Sequence, residues 1–113
     1  TIRYADVLLM AAEANNKATA ANDTKARTYL NLVRRRAFGD NLHDIASSGT
    51  ALYQAILDER RLELAMEGER FFDLVRTGQA ATKITGFTAG KHGVFPIPQQ
   101  EVDISGLTQN SGY

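Results

Sequence analysis

Residues 55–78, AILDERRLELAMEGERFFDLVRTG, combine a helical apolar pattern with ten charged side chains. A helix on the surface of a globular protein keeps its apolar residues on one face and its charges on the other. At about 100° per residue, Arg60 and Glu67 fall in the middle of the apolar face. Glu63 and Arg70 fall on the edge of that face. This placement predicts that the four side chains are structural and not simply solvated.

Opposite charges in this stretch are spaced for pairing along a helix, with Arg60 to Glu63 and Glu67 to Arg70 both at i,i+3. A buried charge without a partner is very costly. We therefore predict a structural ion-pair network of Arg60, Glu63, Glu67 and Arg70, with further partners among the arginines at 34–36 or the backbone of the tail. The charges on the far side are expected to be solvated: Asp58, Arg61, Glu69 and Arg76.

The same acids raise the question of a catalytic or metal site. Glu59, Glu63 and Glu67 follow each other at four-residue spacing, but helical di-iron sites need Glu-x-x-His and this segment has no histidine. His43 and His92 are the only histidines, and both lie in predicted loops. Glycosidase chemistry needs two carboxylates at a set separation, and no feature selects such a pair. We predict no catalytic residues, no metal site and no cofactor.

The rest of the chain predicts an all-α fold of helical hairpins with an irregular, extended C-terminal strap. Two amphipathic segments form a hairpin over 1–38, a long charged helix covers 50–77 with Gly68 as a kink or break, and the strap covers 78–113. Pro96 and Pro98 favour extended backbone in the strap. The strap is apolar enough to be expected to dock against a larger body. We treat 1–113 as a single domain.

The sequence also predicts which residues cap the helices and which aromatic residues are buried. Asn22 or Asp23 is expected to cap the second helix at its N-terminus, and Gly39 to end it. Ser48 or Thr50 is expected to cap the third helix. Three tyrosines at helical core spacing are expected to be buried: Tyr4, Tyr29 and Tyr53. Phe87 and Tyr113 are the aromatic residues that could be exposed, Tyr113 more as an anchor of the strap.

Composition limits the function. The chain has 113 residues, 13 basic and 13 acidic side chains and no cysteine. A net charge of zero argues against a nucleic-acid partner, which requires an excess of basic residues. The longest apolar run, Val7 to Ala12, is far shorter than the ~20 residues of a membrane-spanning helix. A protein of this size can bury an adequate core without metal or disulfide.

Four blocks in this sequence resemble the C-terminal part of the SusD/RagB family, in the family's order. They are RYADVLL at 3–9 with AEA at 12–14; LN at 30–31 with VR at 33–34 and RA at 36–37; ERRLEL at 59–64 with EG at 67–68, Arg70, FDL at 72–74 and Arg76; and PIPQ at 96–99 with QN at 109–110 and GY at 112–113. Thr77 and Ser111 stand where the family often has Trp and Pro.

The resemblance implies a lipoprotein on the surface of the outer membrane that binds glycans or other nutrients and delivers them to a TonB-dependent transporter. It implies helix pairs of tetratricopeptide type, and it implies that this chain is a C-terminal fragment. The lipid anchor, the only attachment to the membrane, would then lie outside the fragment. The family's glycan contacts come mainly from loops outside these helices, so no ligand-binding residue is assigned.

Two other interpretations remain open. The hairpin could be a free-standing helical module that recognises a protein through its concave side. Less favoured is a carboxylate hydrolase that uses Glu63 or Glu67.

Overall fold

The chain is all-α in a computed structural model that describes residues 2–113, as the sequence predicts. Its helices are α1 (Tyr4–Lys17), α2 (Asp23–Phe38), α3 (Gly49–Glu63), α4 (Arg70–Arg76), α5 (Ala80–Lys83) and α6 (Gln99–Ser105). No strand occurs within the described range. The structure divides into two compact units, Thr1–Arg70, here the helical unit, and Phe71–Tyr113, here the strap unit. The expectation of a single domain over 1–113 stays a prediction.

The helical unit has an apolar core. α1 and α2 pack against each other as the predicted hairpin, and α3 packs against both. Each helix contributes residues at i, i+3 or i+4 spacing, so that one face of each is buried. The core residues are Leu8, Leu9, Ala12, Ala26, Leu30, Val33, Leu52 and Ile56.

The helix ends follow the sequence in part. The Asn22 side chain accepts a hydrogen bond from Lys25 N at 2.9 Å, and Gly39 ends α2 in the left-handed conformation, both as predicted. Ser48 occupies the N-cap position of α3, but its side chain makes no capping bond. The Asp23 carboxylate accepts from Gly49 N at 2.6 Å instead. α3 is thus capped by a residue of α2, which is distant in sequence.

A continuous charged helix over 50–77 is wrong, but the break expected at Gly68 is confirmed and starts a few residues earlier. α3 ends at Glu63, and α4 begins at Arg70. Between them Met66 and Gly68 both have positive φ, 68° and 88°, which a right-handed helix cannot accommodate. The break changes the register of every later residue, so the apolar face drawn through Glu67 and Phe71 does not exist.

The strap unit is irregular but contains two short helices, α5 and α6, that its composition does not predict. Pro98 precedes α6, where a missing N–H costs nothing, and its carbonyl accepts from Glu101 N at 2.9 Å. Phe71 lies near the rings of Phe87 and Phe95, with centroid distances of 6.4 and 6.5 Å.

The exposed apolar side chains of the strap unit include Val94, Phe95, Ile104 and Leu107. These side chains are not part of an apolar core in the described chain. Their docking against a larger body stays a prediction.

Candidate functional site

Two charges of α3 are buried. Glu59 and Arg60 are both 5% exposed, although they are neighbours in sequence. The prediction that Arg60 is buried is confirmed, and the burial of Glu59 is a feature that the helical wheel missed. A helix can bury two consecutive residues only where it packs against neighbours on adjacent sides, and α3 packs against both α1 and α2.

Arg60 pairs with α1. Its Nη1 donates to Asp6 Oδ1 at 2.8 Å, and the Asp6 side chain is itself only 15% exposed. Arg60 takes part in a further interaction within the chain. This buried pair joins the start of α1 to the end of α3.

Glu59 pairs with α2. Arg34 Nη1 donates to Glu59 Oε2 at 2.5 Å, while Arg34 Nε donates to the backbone carbonyl of His43 at 2.7 Å. The Arg34 guanidinium therefore bonds both to α3 and to the segment that connects α2 and α3. The expectation that arginines at 34–36 partner the predicted network is confirmed for Arg36, which pairs with Glu63, whereas Arg34 pairs with Glu59 outside that network.

Arg3 joins the two remaining acids of the predicted network. Its Nη1 donates to Glu63 Oε1 at 3.0 Å, and its Nη2 donates to the backbone carbonyl of Glu63 at 2.8 Å. Its Nε and Nη2 donate to the two carboxylate oxygens of Glu67 at 3.0 and 2.6 Å. The hydrogen bonds from Arg3 hold the pKa of the Glu67 carboxyl below its usual range, and those from Glu67 and Glu63 raise the pKa of Arg3. Arg3 also satisfies a terminal carbonyl of α3, which favours ending the helix there.

The observed network pairs different residues from those that the sequence predicts. Glu63 and Glu67 meet at Arg3, while Arg60 bonds to Asp6. Arg70 forms no ion pair with any residue of 2–113. Glu67 is exposed and lies beyond the end of α3, which corrects its predicted place in the core. Arg3 and Asp6 are the participants that sequence reasoning missed, and their i,i+3 spacing at the start of a helix is the only local signal for them.

The α2–α3 connection, residues 39–48, is held along one face of α2. Asn31 Nδ2 donates to Ile45 O at 3.0 Å, and Ile45 N donates to Asn31 Oδ1 at 2.9 Å. Arg27 donates to Ser47 O at 3.1 Å, and Arg35 pairs with Asp44. Through this pair the Arg35 guanidinium holds the pKa of the Asp44 carboxyl below its usual range.

The geometry favours a structural role for the acids over catalysis or metal binding. Glu59, Glu63 and Glu67 are each bonded to an arginine, so a metal ion would have to displace a guanidinium. Within residues 2–113, no group of three or more His, Cys, Asp or Glu side chains could hold a metal ion. His43 stacks on Phe38 with ring centroids 4.0 Å apart. His92 Nδ1 accepts from Thr88 N at 2.9 Å.

The exposed aromatic residues agree with the sequence only in part, because Tyr113 is 46% exposed as expected while Phe87 is half-buried. Tyr4 is 75% exposed and was expected in the core, whereas Tyr29 and Tyr53 are half-buried. Phe95 is also largely exposed. The Tyr113 hydroxyl donates to Val94 O at 3.1 Å, which supports its expected role as an anchor.

A groove of about 370 Å³ lies beside Tyr4. Its lining residues come from the start of α1 and from α2: Arg3, Tyr4, Ala5, Leu8, Leu32, Val33 and Arg36.

None of the helices within residues 2–113 has the length and apolar character needed to cross a membrane.

Comparison with known proteins identifies the family. The model of the SusD family matches residues 1–113. The chain belongs to the SusD family. SusD-like protein P2 of Formosa agariphila is 35% identical over 103 residues, covering 86% of this chain and 19% of that protein. SusD-like protein P25 of the same organism is 33% identical, covering 98% of this chain and 24% of that protein. This SusD-family chain thus spans about a fifth of the length of these relatives.

Three of the four blocks that carry the SusD resemblance contain residues that form the ion pairs. RYADVLL contributes Arg3 and Asp6, VR contributes Arg34, and ERRLEL contributes Glu59, Arg60 and Glu63. These three blocks of this SusD-family chain therefore supply the ion pairs that join its helices.

Proposed function

We propose that this chain is the C-terminal scaffold part of a nutrient-binding outer-membrane lipoprotein. The full-length protein binds glycans or other oligomeric nutrients at the cell surface and delivers them to a TonB-dependent outer-membrane transporter. A lipid anchor outside this chain attaches it to the membrane. The observation that carries the proposal is the family match over all 113 residues, together with relatives that are named SusD-like.

The scaffold role rests on where the charges are used. Asp6, Glu59, Arg60 and Glu63 are buried or nearly so, and each is bonded to a residue of another helix or of the segment before α1. Groups committed in this way hold helices together and are not free to bind a ligand. No catalytic role and no cofactor is proposed for them.

Calorimetry on the full-length protein tests nutrient binding. We expect saturable binding to at least one member of a panel of amylopectin, laminarin, xylan, pectin and a peptide digest. Failure with every member of the panel would count against nutrient binding. The transporter is tested separately, by pull-down of a TonB-dependent outer-membrane protein with the tagged protein from solubilised membranes.

Two variants of the full-length protein separate scaffold from catalysis. Glu63→Gln and Glu67→Gln should leave glycan affinity unchanged, because neither side chain contacts ligand in this proposal. Arg61→Gln is the matched control, since Arg61 is an exposed charge of α3. Turnover of a polysaccharide by the wild type that is lost in either glutamate variant, with helix content intact, would support a carboxylate hydrolase instead.

The second candidate is a helical module that recognises a protein. The groove between α1 and α2, with Tyr4 at its edge, is the observation that favours it. A free-standing module of this kind would capture a protein other than the transporter in pull-down, and Tyr4→Ala and Leu32→Ala would abolish that capture. In the scaffold proposal the same variants affect stability alone.

A further inference from the structure

Met66 has an unusual position in the connection between α3 and α4. It is the only residue other than glycine with positive φ among residues 2–113, and its side chain is fully exposed, at 102%. The chain has two methionines and no cysteine. Met10 in α1 is the other methionine, and it is 43% exposed. The two methionine residues therefore differ in their exposure to solvent.

The residues on both sides of Met66 are held by hydrogen bonds. Before it, Arg3 bonds to the carboxylate and the backbone carbonyl of Glu63. After it, Arg3 bonds to both carboxylate oxygens of Glu67, whose N donates to Leu64 O at 3.2 Å. A single guanidinium thus bonds to residues on either side of Met66.

We propose that Met66 is the peroxide-sensitive residue of this chain and is converted reversibly to methionine sulfoxide. Its thioether sulfur attacks one oxygen of hydrogen peroxide, the O–O bond breaks, and water leaves as the S–O bond forms. Methionine is oxidised by two electrons and the peroxide is reduced. Methionine sulfoxide reductases reverse the modification. This inference does not depend on the proposed function.

The structural consequence of oxidation should be small. The Met66 side chain buries no area that a polar oxygen would disturb, so the sulfoxide lies in water. Oxidation of Met10 would place the same oxygen on a partly covered face of α1. Met66 can therefore be oxidised without loss of the fold, whereas modification of Met10 acts on the hairpin.

The experiment compares oxidation rates in the folded and the unfolded protein. The intact protein is treated with dilute hydrogen peroxide, with and without urea, quenched with catalase and mapped by mass spectrometry of proteolytic peptides. Because susceptibility to oxidation follows exposure, Met66 should react at about the same rate in both states, while Met10 should react at least about twofold more slowly when folded. Protection of Met66 in the folded protein equal to that of Met10 would overturn the proposal.

A variant provides the second readout. In Met66→Leu, the rapid phase of sulfoxide formation in this chain should disappear, leaving the slower reaction of Met10. Oxidation of the Met10→Leu protein to completion at Met66 should leave the thermal midpoint unchanged within about 1 °C, as for other changes at exposed sites. A larger decrease would show that Met66 packs against the structure and would contradict the exposure on which the proposal rests.

Discussion

The helical unit and the strap unit are each stabilised by different interactions. In the helical unit, α1, α2 and α3 bury apolar residues from each helix, and charged pairs such as Arg60–Asp6 lie among them. In the strap unit, the buried side chains are those of Asp73, Leu74 and Ala80. Much of its order comes from side chains that bond to backbone groups.

Gln109 is an example of a side chain that bonds to backbone groups in the strap unit. Its Oε1 accepts from Ile97 N at 2.8 Å, and its Nε2 donates to Ile97 O at 2.8 Å. Asn110 Nδ2 donates to Phe95 O at 2.7 Å. Burial of apolar residues stabilises the whole helical unit, whereas each of these hydrogen bonds stabilises only one or two residues of the strap unit. The comparison predicts that changes in the helical unit affect global unfolding and that changes in the strap unit are local.

The largest effect is expected from a cavity in the core. Leu52 is fully buried in α3, and Leu52→Ala should lower the free energy of unfolding by about 3 to 4 kcal/mol. Urea unfolding monitored by circular dichroism measures it. Leu62, in the same helix but 70% exposed, gives the control, and Leu62→Ala should change stability by less than about 0.5 kcal/mol. Equal effects in the two variants would refute the core assigned here.

The next effect comes from a buried ion pair. Arg34→Ala leaves the Glu59 carboxylate buried without its arginine and frees the His43 carbonyl. We expect a loss of about 2 kcal/mol, less than for a fully buried pair because Arg34 is itself partly exposed. The neighbouring Arg35, whose pair with Asp44 is exposed, is the matched control. Arg35→Ala should have a much smaller effect. The same urea experiment ranks the two.

Acid should weaken the helical unit through its hydrogen-bonded carboxyls. The bond from Gly49 N, followed by that from Asn16, holds the pKa of Asp23 below its usual value, and His43 does the same for Asp40. A carboxyl whose folded pKa is lowered stabilises the fold above its unfolded pKa, about 3.9 for Asp, and this contribution is lost as pH falls through the folded pKa. Stability should therefore decrease below about pH 4.

Asp23→Asn tests this explanation. The variant should lose part of the pH dependence between about pH 4 and pH 2, because its amide does not titrate. Thermal unfolding at a series of pH values measures the difference. A pH dependence that runs parallel to that of the wild type would show that Asp23 contributes nothing to it.

The smallest effect is expected in the strap unit. Gln109→Ala removes both bonds to Ile97, so the Ile97 amide should exchange its hydrogen at least about tenfold faster, while global unfolding stays unchanged. Gln100→Ala, at an exposed glutamine of α6, should leave that exchange rate unaltered. A large loss of global stability in Gln109→Ala would mean that the strap unit supports the whole fold.

The position of Glu67 differs between the sequence-based prediction and the structure. A helical wheel places it in the core, where Glu67→Ala would carry the large cost of leaving a buried arginine unpaired. The structure places it in an exposed turn, bonded to Arg3, so only a small loss is now expected. The wheel failed because it carried the helix as far as Gly68, the expected kink or break, whereas α3 ends at Glu63 and Met66 already has positive φ.

The sequence by itself determined the all-α class, the hairpin of α1 and α2, the N-cap at Asn22, the end of α2 at Gly39, and the family. Each depends on local chemistry or on short motifs that can be read along the chain. Only the tertiary structure decided where the third helix stops and which charges pair. Arg3 lies sixty residues before Glu63, and Asp23 caps a helix that begins at Gly49. Such partners depend on how helices pack, and helical periodicity carries no information about contacts between distant segments.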